Sequence, residues 1–293
     1  MLSLYTNFAA LSAQSAMALA QKQLSTSMTR LSTGYRINSA MDDAAGLQIA
    51  TRLRAQTSGM TVAMRNTQNS TSMLQTADGA LGEVSNILIR MKDLATQAAD
   101  ASSNQNDRSA MQSEYDALGA ELYNIMSNTT FGGNLLLGNG SGAAKGTLSA
   151  AMSFQIGASS SETMQLDLSG ALGGLDTTLK ALSANFAATG STGTELSSSN
   201  GSANGMLTLL STAIDQASGL RSTLGATANR LGHIHNNLAN MVSNTKAAMG
   251  RIMDVDYAAE SANMASAQMR LQASAAMLKQ SQSMAKYILA LLQ

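Results

Sequence analysis

His233 and His235 are the only histidines in the chain. Two residues apart on a helix, their rings point about 200° away from each other, so they cannot grip one metal ion and read as polar helix residues. Asp42 and Asp43 are adjacent, which makes their carboxylates diverge on a helix, and no third ligand or catalytic partner follows. Such a pair suits the first turn of a helix, where the macrodipole favours negative charge. Asp254 and Asp256, two apart near a helix break, read the same way. Gly132-Gly133 with Gly138 fits neither a Walker loop nor a dinucleotide fingerprint, because no Lys-Ser/Thr follows and no strand precedes at the right spacing. Cysteine is absent, which removes thiolate ligands, thiol nucleophiles and disulfides together. Serines are plentiful, but no His-plus-acid arrangement can be set beside one. The methionine-rich faces read as core or interface. The residues therefore point to a non-enzyme, with no catalytic residues, cofactor or metal.

The elements that carry these residues are helices. Leu74, Ala77, Leu81, Val84, Leu88, Met91, Ala95 and Ala98 step by three and four, as do Met111, Tyr115, Leu118, Leu122 and Ile125. A third run passes from Met206, Leu210, Ile214, Ala217, Leu220 and Leu224 to Leu231, Ile234, Leu238, Met241, Ala248 and Ile252. Each marks one apolar seam, as in a coiled coil. The third spans roughly 45 residues, or about 68 Å at the helical rise, too long to bury its seam in a small globule without long partners alongside. The ends carry a weaker seven-residue repeat: Met17, Leu24 and Leu31 with Met28 nearby, then Met264, Leu271 and Leu278, and Met277, Met284 and Leu291. Alanine, serine, glutamine and methionine fill the gaps. Such segments bury too little apolar area alone to offset their ordering entropy, so both ends are expected to be disordered in the monomer and helical in an assembly, where they should meet.

Breaks follow from turn chemistry. Ser32-Thr33-Gly34 ends the first helix, Asp100 to Asn106 is a polar turn, and Asn128 to Gly142 ends the next helical region. The alternation in Phe154-Gln155-Ile156 and Met164 to Leu168, linked by Gly157 to Glu162, predicts a β-hairpin. Residues 170–204, rich in Gly, Ser, Thr and Ala, read as a short excursion, and the Ser and Thr of 187–203 as an exposed tract open to O-linked sugars.

Composition fits this plan. Proline is absent, which permits unbroken helices. Charged residues are 12% of the chain and the net charge is zero, about half the usual charged fraction, as expected where partner subunits cover the surface. Both ends are sparsely basic, through Lys22, Arg30 and Arg36 and through Arg270, Lys279 and Lys286. That is too thin for nucleic-acid binding, and Lys22, Arg30, Arg270, Lys279 and Lys286 are expected to face water, because an unpaired charge is costly to bury. Residues 1–21 lack both a basic region and an apolar core of the secretory type, and no 18-residue apolar run could span a membrane.

Several stretches resemble the bacterial flagellins. Leu4-Tyr5-Thr6-Asn7 resembles the amino-terminal signature of that family, and the stretch from Thr29 through Arg30-Leu31-Ser32-Thr33-Gly34 and Met41-Asp42-Asp43-Ala44-Ala45-Gly46 to Leu47 resembles its core motif. Asn229-Arg230-Leu231 with Asn237-Leu238, and Arg251-Ile252-Met253-Asp254-Val255-Asp256-Tyr257-Ala258, are similar to its carboxy-terminal motifs. The resemblance implies a mainly α fold: a long antiparallel, coiled-coil-like helical rod with a small β-hairpin and paired N- and C-terminal helices. Residues 1–44 and 254–293 would be the inner-core helices, 45–169 and 205–253 the outer core, and 170–204 a short variable surface region. Leu24, Leu31, Leu271, Leu278, Met284 and Leu291 are the candidates for subunit packing.

The implied function is a self-assembling, secreted subunit of the flagellar filament used for swimming. The implied partners are other copies of the chain, an export chaperone at the C-terminal helix, the type III export apparatus, and the filament cap and hook–filament junction proteins. Ile89-Arg90-Met91-Lys92-Asp93-Leu94-Ala95 resembles the segment read by Toll-like receptor 5, which makes Arg90, Leu94 and Glu114 candidate receptor contacts. The rival readings are a hook–filament junction protein, which would share the terminal helices, and a secreted adhesin or immune-binding module.

Overall fold

Without proline no helix loses a backbone donor, and two helices here run past fifty residues. The structure is a computed structural model describing residues 7–138, 145–187 and 192–291, the side chains of residues 200 and 285–291 excepted. In order, the elements are α1 (Phe8–Thr33), α2 (Ala44–Ala99), α3 (Gln105–Asn128), β1 (Thr130–Phe131), β2 (Asn134–Leu135), a single 3-10 turn (Thr147–Ser149), β3 (Met152–Gln155), β4 (Thr163–Leu166), α4 (Ser169–Leu182), α5 (Asn200–Met253) and α6 (Tyr257–Leu291). The chain forms two compact units. One is Met1–Thr57 with Ser243–Gln293, the other Ser58–Val242, and α2 and α5 contribute residues to both.

The second unit holds the main core. All eight seam residues of α2, from Leu74 to Ala98, are buried, together with Tyr115 and Leu122 of α3 and Leu210, Ala217, Leu220, Leu224 and Leu231 of α5. Within this unit α2 and α5 run antiparallel, because Asp78 accepts from the Nε of Arg221 at 2.9 Å while Thr67 lies 3.5 Å from the Nδ1 of His235. Helix α3 starts at a reciprocal cap: Asn104 accepts from the Asp107 N–H and Asp107 accepts from the Asn104 N–H, which satisfies two donors that a helix end otherwise leaves open.

Both short sheets are antiparallel hairpins. β1 and β2 turn through Gly132 and Gly133, at φ 59° and 85°. A tight hairpin turn of this hand needs positive φ at both central positions, so these glycines answer a backbone demand and not a phosphate. β3 and β4 pair Met152 with Leu166 and Phe154 with Met164, and the Phe154, Met164 and Leu166 side chains enter the core.

The stretch expected to be a surface excursion is built into that core. Residues 169–182 form α4, and Leu172, Leu175, Leu179 and Leu182 are all buried. Gly170, Gly173, Gly174, Thr177 and Thr178 are poor helix formers and hide the three-and-four spacing of the leucines between them. The chain after α4 is also tied down. The Nε2 of Gln112 donates to Asp116 (2.8 Å) and Glu195 (2.7 Å), its Oε1 accepts from the Leu196 N–H, and Asp116 accepts from the Gly193 N–H. Leu196 is buried, so 192–203 is not an exposed tract throughout, although Thr194, Ser198 and Ser199 do face solvent. The Tyr115 hydroxyl donates to the Leu182 carbonyl at 3.1 Å. Burial first, then the charges of Glu195 and Asp116, push its pKa far above the usual phenol value and keep it a donor.

Replacing Leu179 by alanine should cost about 2–5 kcal/mol, as for other fully buried leucines, read as a lower urea midpoint at unchanged slope. A change under about 0.5 kcal/mol, typical of surface sites, would place α4 outside the core.

Candidate functional site

The first unit pairs the two ends of the chain. The Asn7 side chain caps α1 by accepting from the Ala10 N–H, and its Nδ2 donates to the Ser281 Oγ at 2.8 Å. At the other end of α1, Arg30 lies 3.6 Å from Glu260. The helices α1 and α6 are therefore antiparallel, and the ends of the chain meet as the sequence predicts.

What lies between them is unlike the core of the second unit. Among the described residues of the pair, the buried positions are Ala20, Ser27, Ala267 and Glu260. Leu24, Leu31, Leu271 and Leu278, four of the six packing candidates, are half-buried. Met284 is exposed, and the side chain of Leu291 lies outside the described residues. Phe8, Leu11, Leu19, Met28, Met269 and Met277 join Met284 as exposed large apolar side chains, from 56% at Met284 to 82% at Phe8. Met269 is two residues from both Ala267 and Leu271, hence about 200° from each on an ideal helix and turned away from α1. The signal was present in the repeat of Met277 and Met284, at an offset from the repeat of Leu271 and Leu278.

Of the basic residues expected to face water, three do so in the free chain and Arg30 does not. Lys22, Arg270 and Lys279 are exposed, and Arg30 is half-buried beside the nearly buried Glu260. The side chain of Lys286 lies outside the described residues.

Two of the stretches that resemble family motifs, around residues 29–47 and 251–258, form a joint within this unit. α1 ends at Gly34, whose φ of 76° is a left-handed cap and whose N–H donates to the Arg30 carbonyl. A Cβ added there would meet the Tyr257 hydroxyl at 3.1 Å. The break after α1 is then stitched to the break before α6. The Arg36 N–H donates to the Met253 carbonyl, the Arg36 Nη2 to the Ile252 carbonyl (2.9 Å), and the Val255 N–H to the Gly34 carbonyl (3.0 Å). The aspartates serve as caps. Asp43 accepts from the Gly46 N–H at the start of α2, and Asp256 from the N–H groups of Ala258 and Ala259 at the start of α6. Asp42 accepts from the N–H groups of Asn38 and Ser39. These two bonds hold its carboxyl below the usual range, burial opposes them, and the charge of Arg30 adds a smaller pull in the same direction.

Of the three receptor-contact candidates, two are brought together and one is not. Arg90 pairs with Glu114 at 2.7 Å on the surface between α2 and α3. Leu94 is only 2% exposed and belongs to the core. It stands three residues after Met91 and four before Ala98, on the buried stripe of α2, so a contiguous motif spreads over two faces of a helix. Leu94 is thereby corrected from a contact to a core residue. Among the described residues no three His, Cys, Asp or Glu side chains gather into a metal site, and no helix is long and apolar enough to cross a membrane.

Comparison with known proteins bears on this geometry. Residues 4–141 match the bacterial flagellin N-terminal helical region, and residues 207–292 match the bacterial flagellin C-terminal helical region. Flagellin B of Vibrio anguillarum is 33% identical over 98% of both chains. Polar flagellin F of Vibrio parahaemolyticus is 50% identical over a stretch covering 56% of this chain and 41% of that relative, less than half of its length. Among solved structures, a provisionally assigned flagellar hook-associated protein from Vibrio parahaemolyticus covers 73% of this chain at a TM-score of 0.55 and 18% identity, a likeness of fold alone.

The Asp42 turn should respond to acid with a defined sign. A carboxyl with a lowered folded pKa stabilises its contacts above its unfolded pKa and loses that contribution as pH falls through the folded one. The amide signals of Asn38 and Ser39 should therefore titrate in NMR with a midpoint below 3.8, the ordinary value. A midpoint above it would contradict the capping.

Proposed function

Because this chain belongs to the bacterial flagellin family, we propose that neighbouring copies complete the terminal helix pair, so that its ordering is coupled to filament growth. The chain is a structural subunit of the extracellular flagellar filament that serves motility, and it is not an enzyme. The observation that carries the assembly reading is the contrast across the pair. Its inner seam is closed by Ala20, Ser27, Ala267 and Glu260, while Phe8, Leu11, Leu19, Met28, Met269, Met277 and Met284 lie exposed on its outer faces. Alanine and serine bury little apolar area, and ordering costs roughly 1–2 kcal/mol per residue in backbone entropy. Covering each large apolar side chain contributes about 1.5–3 kcal/mol. Copies added along an open helix can supply that cover repeatedly without closing a ring.

The finer partners follow from the same membership. A chaperone at α6 would shield Met269, Met277 and Met284 before export through the type III apparatus, and cap and junction proteins would meet the same faces at the filament ends. The division into 1–44 with 254–293 as inner core, 45–169 with 205–253 as outer core, and a short centre at 170–204 is retained as a proposal about the filament. The alignment with the Vibrio anguillarum relative spans 377 positions against 293 residues here, which supports a shortened chain, and residues 142–206 match neither family region. A Toll-like receptor 5 contact would rest on the exposed Arg90–Glu114 pair, with Leu94 acting from beneath to hold α2.

Two experiments test these readings. Purified full-length chain seeded with sheared filaments should elongate in negative-stain electron microscopy, and a chain lacking 1–32 and 262–293 should not. No elongation of the full chain under any salt or seeding condition would favour the junction-protein or binding-module reading. In a receptor reporter assay Arg90→Ala should weaken signalling while leaving the melting temperature within about 2 °C, since exposed ion pairs contribute only about 0.2–1 kcal/mol. Undiminished signalling by the Arg90→Ala, Leu94→Ala double variant would refute the receptor contact.

A further inference from the structure

The chain contains 20 methionines and neither cysteine nor tryptophan, so the thioether is its principal oxidisable group. The methionines divide by place. Among the described methionines, Met60, Met91, Met126 and Met164 are buried in the second unit, Met41 and Met241 are exposed away from the terminal helices, and Met28, Met269, Met277 and Met284 are exposed on those helices. Thioether oxidation requires access and no ionisation, and the sulfoxide turns a flexible apolar side chain into a polar one. We propose that Met28, Met269, Met277 and Met284 form an oxidation site at which peroxide-class oxidants switch off subunit addition, an inference that rests on the assembly reading above.

The chemistry balances without a cofactor. A sulfur lone pair attacks one oxygen of hydrogen peroxide, the S–O bond forms as the O–O bond breaks, and proton transfer releases the other oxygen as water. Sulfur loses two electrons and peroxide gains them. In the free chain the resulting S=O is solvated and harmless, because these side chains are outside the inner seam. On addition to a filament it must be buried against a neighbour, and a buried polar group without a partner is penalised. One such group should lower the equilibrium constant for addition on the order of tenfold, and several should act together. A subunit already in a filament, with these faces covered, reacts more slowly, so the site discriminates free chains from assembled ones. Reduction of the sulfoxide by a methionine sulfoxide reductase, with a dithiol oxidised to a disulfide and the oxygen released as water, reverses the switch.

The test uses full-length chain treated with hydrogen peroxide, with oxidised positions located by peptide mass spectrometry and elongation measured on sheared-filament seeds. Oxidation should reach Met28, Met269, Met277 and Met284 well before Met60, Met91, Met126 and Met164. The oxidised chain should elongate at least about tenfold more slowly, recover after sulfoxide reductase, and keep the circular dichroism of the untreated chain. A Met28→Leu, Met269→Leu, Met277→Leu, Met284→Leu variant, whatever its own untreated rate, should keep most of that rate after treatment. Unchanged elongation of chain oxidised at all four positions would overturn the proposal. So would a leucine variant that loses as much as the parent, which would move the effect to other methionines. An untreated parent chain that fails to elongate would overturn the assembly reading and this inference with it.

Discussion

The structure depends on a shortage of buried apolar area where the two ends of the chain meet. Helix α1 lies against α6 along a seam whose buried positions are two alanines, a serine and a glutamate, with leucines only half covered. Small residues let the helices approach closely, but they supply little of the hydrophobic driving force that offsets ordering. The register of the pair is set by polar contacts at both ends, Asn7 with Ser281 and Arg30 with Glu260. These specify alignment more than they stabilise, since the buried Glu260 carboxylate must first be desolvated and the pair only offsets that cost. The large apolar side chains point outward. A chain so arranged is complete only in company, and that is the physical content of a self-assembling subunit.

The second unit follows the opposite plan. Its seams are leucine, valine and methionine buried against one another, with a hairpin and α4 packed onto them. Several of its polar groups are satisfied internally, as where Gln112, Asp116 and Glu195 fasten the chain that follows α4. Within the first unit the motif residues are spent on helix ends: Gly34, Asp43 and Asp256 cap three helices, and backbone bonds between 34–36 and 252–255 tie two breaks together. Of the acidic pairs that could have suggested catalysis, Asp43 and Asp256 are occupied in capping helices.

How far this was legible in the sequence depends on how each residue is constrained. The α2 seam was readable position by position, because a helix buried on one side obeys one period, and every member from Leu74 to Ala98 is buried. Gly34 was readable as a stop, because few other residues accept its φ. Helix α4 was not, since glycine and threonine between its leucines lower local propensity and only tertiary burial restores the helix. Leu94 misled because a linear motif does not say which face each residue takes. The outer faces of the terminal helices were half visible: the seven-residue repeats told of two stripes, but which stripe the chain itself would bury depends on the partner helix.

The central claim is that α1 and α6 owe their order to neighbours. Hydrogen exchange measured on free chain and on filaments under the same conditions addresses it most directly. The account predicts that backbone amides of α1 and α6 exchange far faster than those of 74–98 in the free chain, and that filament formation protects α1 and α6 strongly while leaving 74–98 nearly unchanged. Terminal helices protected in the free chain as well as the second-unit seam, with no gain on assembly, would contradict it.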